Sequence, residues 1–144
     1  MRKWQWINGL VGLVAAAALP VAGHWIRGQS KDRCGFDGMT IQLAFRVRVF
    51  SQRGEAEQFC CVRCAELWLE RRKTEPAAVN VTDEVTAREI DSSLAYFVRS
   101  SVVTTPHTGN RIHVFRSRSD SEKHASVAKG TVLLEKDRPL QLRK

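Results

Sequence analysis

The chain has 144 residues, 43% of them hydrophobic and 26% charged, with a formal net charge of +8. That length allows one domain, or two small halves sharing a core. The basic excess (Arg46, Arg48, Arg53, Arg71, Arg72, Lys73, Arg116, Arg118, Arg138) is spread along the chain without aromatic interleaving, which excludes a nucleic-acid partner; no Ser–His–Asp order, phosphate loop or spaced carboxylate pair points to an enzyme.

Met1-Arg2-Lys3 forms a short basic start, and Trp4 to Ile26 then runs 23 residues without a formal charge. As a helix this run would measure roughly 35 Å, enough to cross a hydrocarbon layer about 30 Å thick. Trp4, Trp6 and Trp25 stand near its ends, where amphipathic rings favour the water–lipid boundary. Residues 1–28 are therefore expected to be a transmembrane anchor. A cleaved signal peptide, with Val21-Ala22-Gly23 before the cut, is the alternative. Both place the rest of the chain outside the cytoplasm, and the anchor places it at the inner membrane, facing the periplasm.

Residues 29–136 are expected to be the folded domain. Met39 to Phe50 alternates, with Ile41, Leu43, Phe45, Val47 and Val49 on one face, as in a half-buried strand. Gln52-Arg53-Gly54 is a turn, and Glu55 to Phe59 a returning strand. Cys61, Cys64, Ala65 and Trp68 then fall at helical spacing, giving an amphipathic helix that ends near Lys73; Ala77 to Thr82 is the next strand. The second half repeats the order: strands over Leu94 to Val98 and Val102 to Thr105, a turn at Thr108-Gly109-Asn110, a strand over Ile112 to Phe115, a helix over Ser119 to Lys129 stopped by Gly130, and a strand over Thr131 to Leu134. The fold class is α+β, two strand–strand–helix–strand units sharing a core. Residues 137–144 read as a frayed tail.

All four cysteines, Cys34, Cys60, Cys61 and Cys64, lie close in sequence. In an oxidising compartment such a set commonly forms two disulfides. The competing reading is a metal site. Cys60, Cys61 and Cys64 stand at a helix start, where unpaired N–H groups and Arg63 favour thiolate, the metal-binding form. Cys34 can close over that end, and Met39 adds a thioether. Such soft donors select Cu(I), with zinc possible. His113 and His124 read as solvated, and Asp83 and Asp91 as capping or turn residues.

Cys34 followed by Cys60-x3-Cys64 inside "FCCVRC" resembles the TRASH/YHS metal-binding module. A wider stretch, about Cys34 to Glu135, is similar to the NosL family of nitrous oxide reductase accessory proteins, through Cys34 to Met39, "VTDEVTAREIDSSLAYFVRSS", "VVTTPHTG" and "HVFRSRSDSEKHASVAKGTVLLE". The resemblance implies an extracytoplasmic Cu(I) chaperone built from paired strand–strand–helix–strand units, and a recipient metalloprotein or membrane complex as its partner. Members often read C-x-x-C-G-M, whereas Asp37 holds the second cysteine position here. A methionine commonly follows the "TP" proline, whereas His107 follows Pro106 here and offers imidazole instead of thioether. The expected metal donors are thus Cys34, Met39, Cys60, Cys61, Cys64 and His107. The rival functions are thiol–disulfide exchange through Cys60 or Cys61 with Cys64, and a structural subunit stapled by disulfides.

Overall fold

The structure is a computed structural model that describes residues 32–142. The expected anchor over Trp4 to Ile26 lies outside the described residues. Among the described residues, no helix is long and apolar enough to cross a membrane.

The first half forms strand β1 (Val47–Phe50), strand β2 (Ala56–Phe59), helix α1 (Val62–Glu70) and strand β3 (Ala78–Thr82). A short strand β4 (Glu89–Asp91) follows, and then β5 (Tyr96–Arg99), β6 (Ile112–Phe115), helix α2 (Arg118–Val127) and β7 (Thr131–Leu133). The strands make two antiparallel sheets, ordered β2-β1-β3-β4 and β6-β5-β7. In each, the first strand of a hairpin becomes central because the chain returns through a helix to pair on its free edge. The strand–strand–helix–strand unit is therefore built twice, and β4 is added to the first sheet.

Alternation explains the strands. Val47 and Val49 are buried, and Val79 and Val81 face the same core from β3. Phe97, Val114 and Leu133 enter it from the second sheet, so one apolar cluster draws on both halves. The expected strand over Met39 to Phe50 is shorter than its pattern suggested. A 3₁₀ turn over Leu43–Phe45 interrupts the period and leaves Leu43 63% exposed. Val102 to Thr105 is likewise not a strand. Thr105 makes only an isolated bridge to Asn110, and Val102 and Val103 are exposed.

The duplication extends to hydrogen bonds before each hairpin. Cys34 N–H donates to Met39 O at 2.8 Å, as Asp83 N–H does to Arg88 O at 2.9 Å. Gly35 N–H donates to Gln58 O at 2.8 Å, as Glu84 N–H does to Val114 O at 3.0 Å. The two strand-to-helix joints thus have the same framework and different chemistry. In the second joint, Asp83 accepts the Arg116 N–H at 3.1 Å and Ser117 caps α2 by accepting from Asp120 N–H at 3.3 Å. In the first joint Cys34 stands at Asp83's place, and Cys61 is the N-cap.

Helix α2 stops before Gly130 as its sequence suggests, ending at Val127, two residues earlier than expected. Lys129 takes the left-handed conformation (φ 49°), and Gly130 N–H donates to Ala125 O at 2.8 Å, a Schellman-type end. Gly130 is needed for space: a Cβ there would lie 2.9 Å from Arg99 O. The C-terminal segment is not frayed over its described part. Arg138 Nη2 donates to Ser92 O, Ser93 O and Ala95 O at 2.9 to 3.1 Å, and Leu140 is buried in the core.

Candidate metal centre

The first strand-to-helix joint gathers the thiols. Cys60 ends the β2 side, Cys61 is the N-cap of α1, and Cys64 lies in its first turn. The loop from Cys34 to Met39 folds over them, closed by Cys34 N–H to Met39 O and Gly38 N–H to Cys34 O, with Gly38 at φ 73°. A positive φ suits glycine because it lacks Cβ. All four cysteines are buried, at 0 to 3% exposure, and none forms a disulfide. Cys60 Sγ lies 3.6 Å from Cys64 Sγ and 3.9 Å from Cys61 Sγ, well beyond a bond of about 2.0 Å.

The donor atoms of Cys34, Asp37, Cys60 and Cys64 lie within 4.8 Å of one another. Asp37 Oδ2 is 3.3 Å from Cys64 Sγ and 3.6 Å from Cys60 Sγ, and its Oδ1 accepts the Met39 N–H at 3.0 Å. From the second half of the chain, His107 Nε2 reaches 3.7 Å from Cys60 Sγ and 3.2 Å from Asp37 Oδ2. The structure therefore gathers Cys34, Asp37, Cys60 and Cys64 around one point, with His107 beside Cys60 and Asp37 and with Cys61 beside Cys60. Met39 supplies backbone bonds to the loop while its residue is 45% exposed.

Ionisation of packed thiols is collective. Hydrogen bonding with Cys60 and then Cys64 pushes Cys34 far below the usual thiol range, against its burial. The same two neighbours push Cys61 down. Cys60 is pushed far up by its contacts with Cys34 and Cys61, and Cys64 by those with Cys34, Cys60 and Cys61, with burial adding to both. The four thiols therefore titrate as one coupled set.

Sequence reasoning did not include Asp37 among the donors. Its signal was positional, since it occupies the second thiol place of the C-x-x-C-G-M pattern. Thr108 was also missed: its Oγ1 lies 3.5 Å from Cys61 Sγ. His113 is not solvated. It is 3% exposed, with Nδ1 2.9 Å from Glu84 Oε2 and Nε2 3.2 Å from Val102 O, and its ring stacks 4.1 Å from that of His124. Asp83 and Asp91 do act as turn and cap residues, accepting Thr86 N–H and Ser93 N–H.

No family model and no curated protein sequence matches the chain. Among solved structures, the fold is similar to the crystal structure of the copper chaperone NosL from Shewanella denitrificans. The TM-score is 0.62 at 21% identity, covering 72% of this chain and 86% of that one. At that identity the likeness is one of fold: paired strand–strand–helix–strand units, as described above.

Proposed function

We propose that the protein is a Cu(I) carrier, a metallochaperone or metalloenzyme assembly factor, that holds its cargo between Cys34, Cys60 and Cys64 with His107 at the open side. The observation that carries this reading is the convergence of three buried, unbonded thiols and the Asp37 carboxylate on one point at a helix N-terminus, with the His107 imidazole 3.7 Å from Cys60 Sγ. Thiolate and imidazole donors suit Cu(I), and a three-sulfur set leaves room for stepwise ligand exchange. The fold shared with a copper chaperone supports the same reading. The role is carriage, with copper as cargo and no chemical conversion.

Thiol–disulfide exchange through Cys60 or Cys61 with Cys64 draws on the same thiols, and a partner of either kind must reach groups at most 3% exposed. Zinc is the second reading. The carboxylate of Asp37 beside the thiols resembles the mixed sulfur–oxygen sets that zinc accepts.

The uncharged run from Trp4 to Ile26 supports anchoring at the inner membrane with the domain in the periplasm, where the partner is a recipient metalloprotein or membrane complex. Metal analysis of protein purified anaerobically from membranes tests both parts. The reading expects copper near one equivalent and retention through alkaline wash. Zinc in its place, or a soluble form beginning near His24, would contradict the corresponding part.

A further inference from the structure

Cys61, which is buried, and Thr108, which is half-buried, are a pair that the carrier reading leaves unexplained. Cys61 has 0% exposure, so it does not open to an incoming partner. Its Sγ sits 3.9 Å from Cys60 Sγ on one side and 3.5 Å from Thr108 Oγ1 on the other. Thr108 follows His107 directly in the loop between β5 and β6. We propose that Thr108, seated on the Cys61 thiol, is the positioning residue that holds His107 against Cys60 and so completes the Cu(I) site.

The loop is built to transmit that hold. Thr108 N–H and Oγ1–H both point to Thr105 O, at 3.1 Å each, and Asn110 N–H donates to Thr108 Oγ1 at 3.3 Å. The hydroxyl oxygen thus accepts from Asn110 N–H and sits between Thr105 O and Cys61 Sγ, its single proton available to either acceptor. Asn110 is itself fixed, its Nδ2 donating to Thr104 Oγ1 at 2.6 Å and Ile112 O at 3.0 Å. Gly109 takes φ 64° and donates its N–H to Thr105 O at 2.9 Å. Thr108 thus joins a rigid turn of the second half to the thiol joint of the first. Its neighbour His107 has a 33% exposed side chain whose polar contacts among the described residues are with Cys60 and Asp37, so its place depends on the turn that carries it.

The inference rests on the proposed Cu(I) site and is tested so that the two can fail separately. Full-length protein and its Thr108→Val, Thr108→Ser and Cys61→Ala variants are loaded with one equivalent of Cu(I). Affinity is measured by competition with a chromophoric Cu(I) chelator, and the copper shell by X-ray absorption. Thr108→Val keeps the shape and removes the hydroxyl. It should lose the imidazole scattering, keep the sulfur scattering, and weaken binding about tenfold, the scale of losing a residue that orients a ligand. Thr108→Ser should restore the imidazole signal, and Cys61→Ala should reproduce the valine effect without lowering the sulfur count. In a His107→Ala background, Thr108→Val should cost no further affinity, a result a merely structural role would not give. Should Thr108→Val fail to fold, Cys61→Ala carries the same test. Imidazole scattering and affinity unchanged in Thr108→Val and Cys61→Ala, or a sulfur count reduced in Cys61→Ala, would overturn the positioning role. Wild-type protein that binds no Cu(I) would instead overturn the site itself.

Discussion

His107 Nε2 lies 3.7 Å from Cys60 Sγ, although the two residues belong to different copies of the duplicated unit. The thiols come from the strand-to-helix joint of the first copy, and the imidazole from the hairpin loop of the second. His107 is 33% exposed while the thiols are buried, so the imidazole is the more accessible group of the pair.

His107→Ala should therefore speed release more than it disturbs the fold. We expect Cu(I) affinity to fall about tenfold or more, since loss even of a group that only orients a ligand costs that much. Transfer to a thiol acceptor, followed by stopped flow, should become faster while the thermal midpoint stays within a few degrees. A rate unchanged from wild type would remove His107 from the exchange path.

The His113–Glu84 pair gives a pH prediction. A carbonyl only accepts, so Nε2 donates to Val102 O, and a carboxylate partner at Nδ1 makes the ring an imidazolium. Burial works against that charge, but the Glu84 hydrogen bond and charge outweigh it and raise the folded-state pKa above the ordinary histidine value. The stability from this pair is fully present below the unfolded pKa of about 6.5 and is lost as pH rises through the folded value. His124 is shifted oppositely, by burial and then by the positive His113 beside it. His113→Ala should cost about 3 kcal/mol, because it leaves a shielded carboxylate without its partner, and should flatten the alkaline side of the stability profile. Denaturant unfolding across pH checks both. A profile identical to wild type would refute the imidazolium assignment.

Gly130→Ala should destabilise the domain by about 1–3 kcal/mol, the range for forcing an extra carbon into a packed space. The new Cβ would fall 2.9 Å from Arg99 O, which is backbone and yields little, and 3.0 Å from Ser100 Cβ and Val98 Cγ1. An unchanged unfolding midpoint would mean that β5 and the end of α2 are less closely apposed than described.

The C-terminal segment makes a parallel prediction. Leu140→Ala should cost about 2–3 kcal/mol as a large-to-small change in the core, and Arg138→Ala should expose the Ser92–Ala95 turn to hydrogen exchange by freeing three carbonyls. Wild-type protection in the latter would show that the segment is the loose tail its composition suggests.

The pattern of legibility follows from what the sequence can encode locally. Alternation marked β1, and helical spacing from Cys61 to Trp68 marked α1, because each buries one face and the period shows which. Ile112 to Phe115 was legible to the residue. The strand β4 was not, since Glu89–Asp91 has no apolar period and is ordered by pairing with Asn80 to Thr82. Arg46 and Arg48 showed only as part of the spread basic excess for a similar reason: Glu89, their partner at 2.6 and 3.2 Å, is distant in sequence. The thiols announced themselves by type and spacing. Asp37 did not, because a carboxylate in a glycine-flanked loop is ordinary, and only folding sets it 3.3 Å from Cys64. His113 was misread as solvated since its burial depends on Glu84 and Val102, neither visible from the strand's own pattern.

Titration of the reduced, metal-free full-length protein with Cu(I) under anaerobic competition, beside its Cys60→Ser/Cys64→Ser double variant and His124→Ala, tests the carrier reading most directly. The account predicts about one tightly held Cu(I) per chain in wild type and in His124→Ala, no binding above background in the double variant, and far weaker retention of Zn(II). Equal copper retention by the double variant, or tighter binding of zinc than of copper by the wild type, would contradict it.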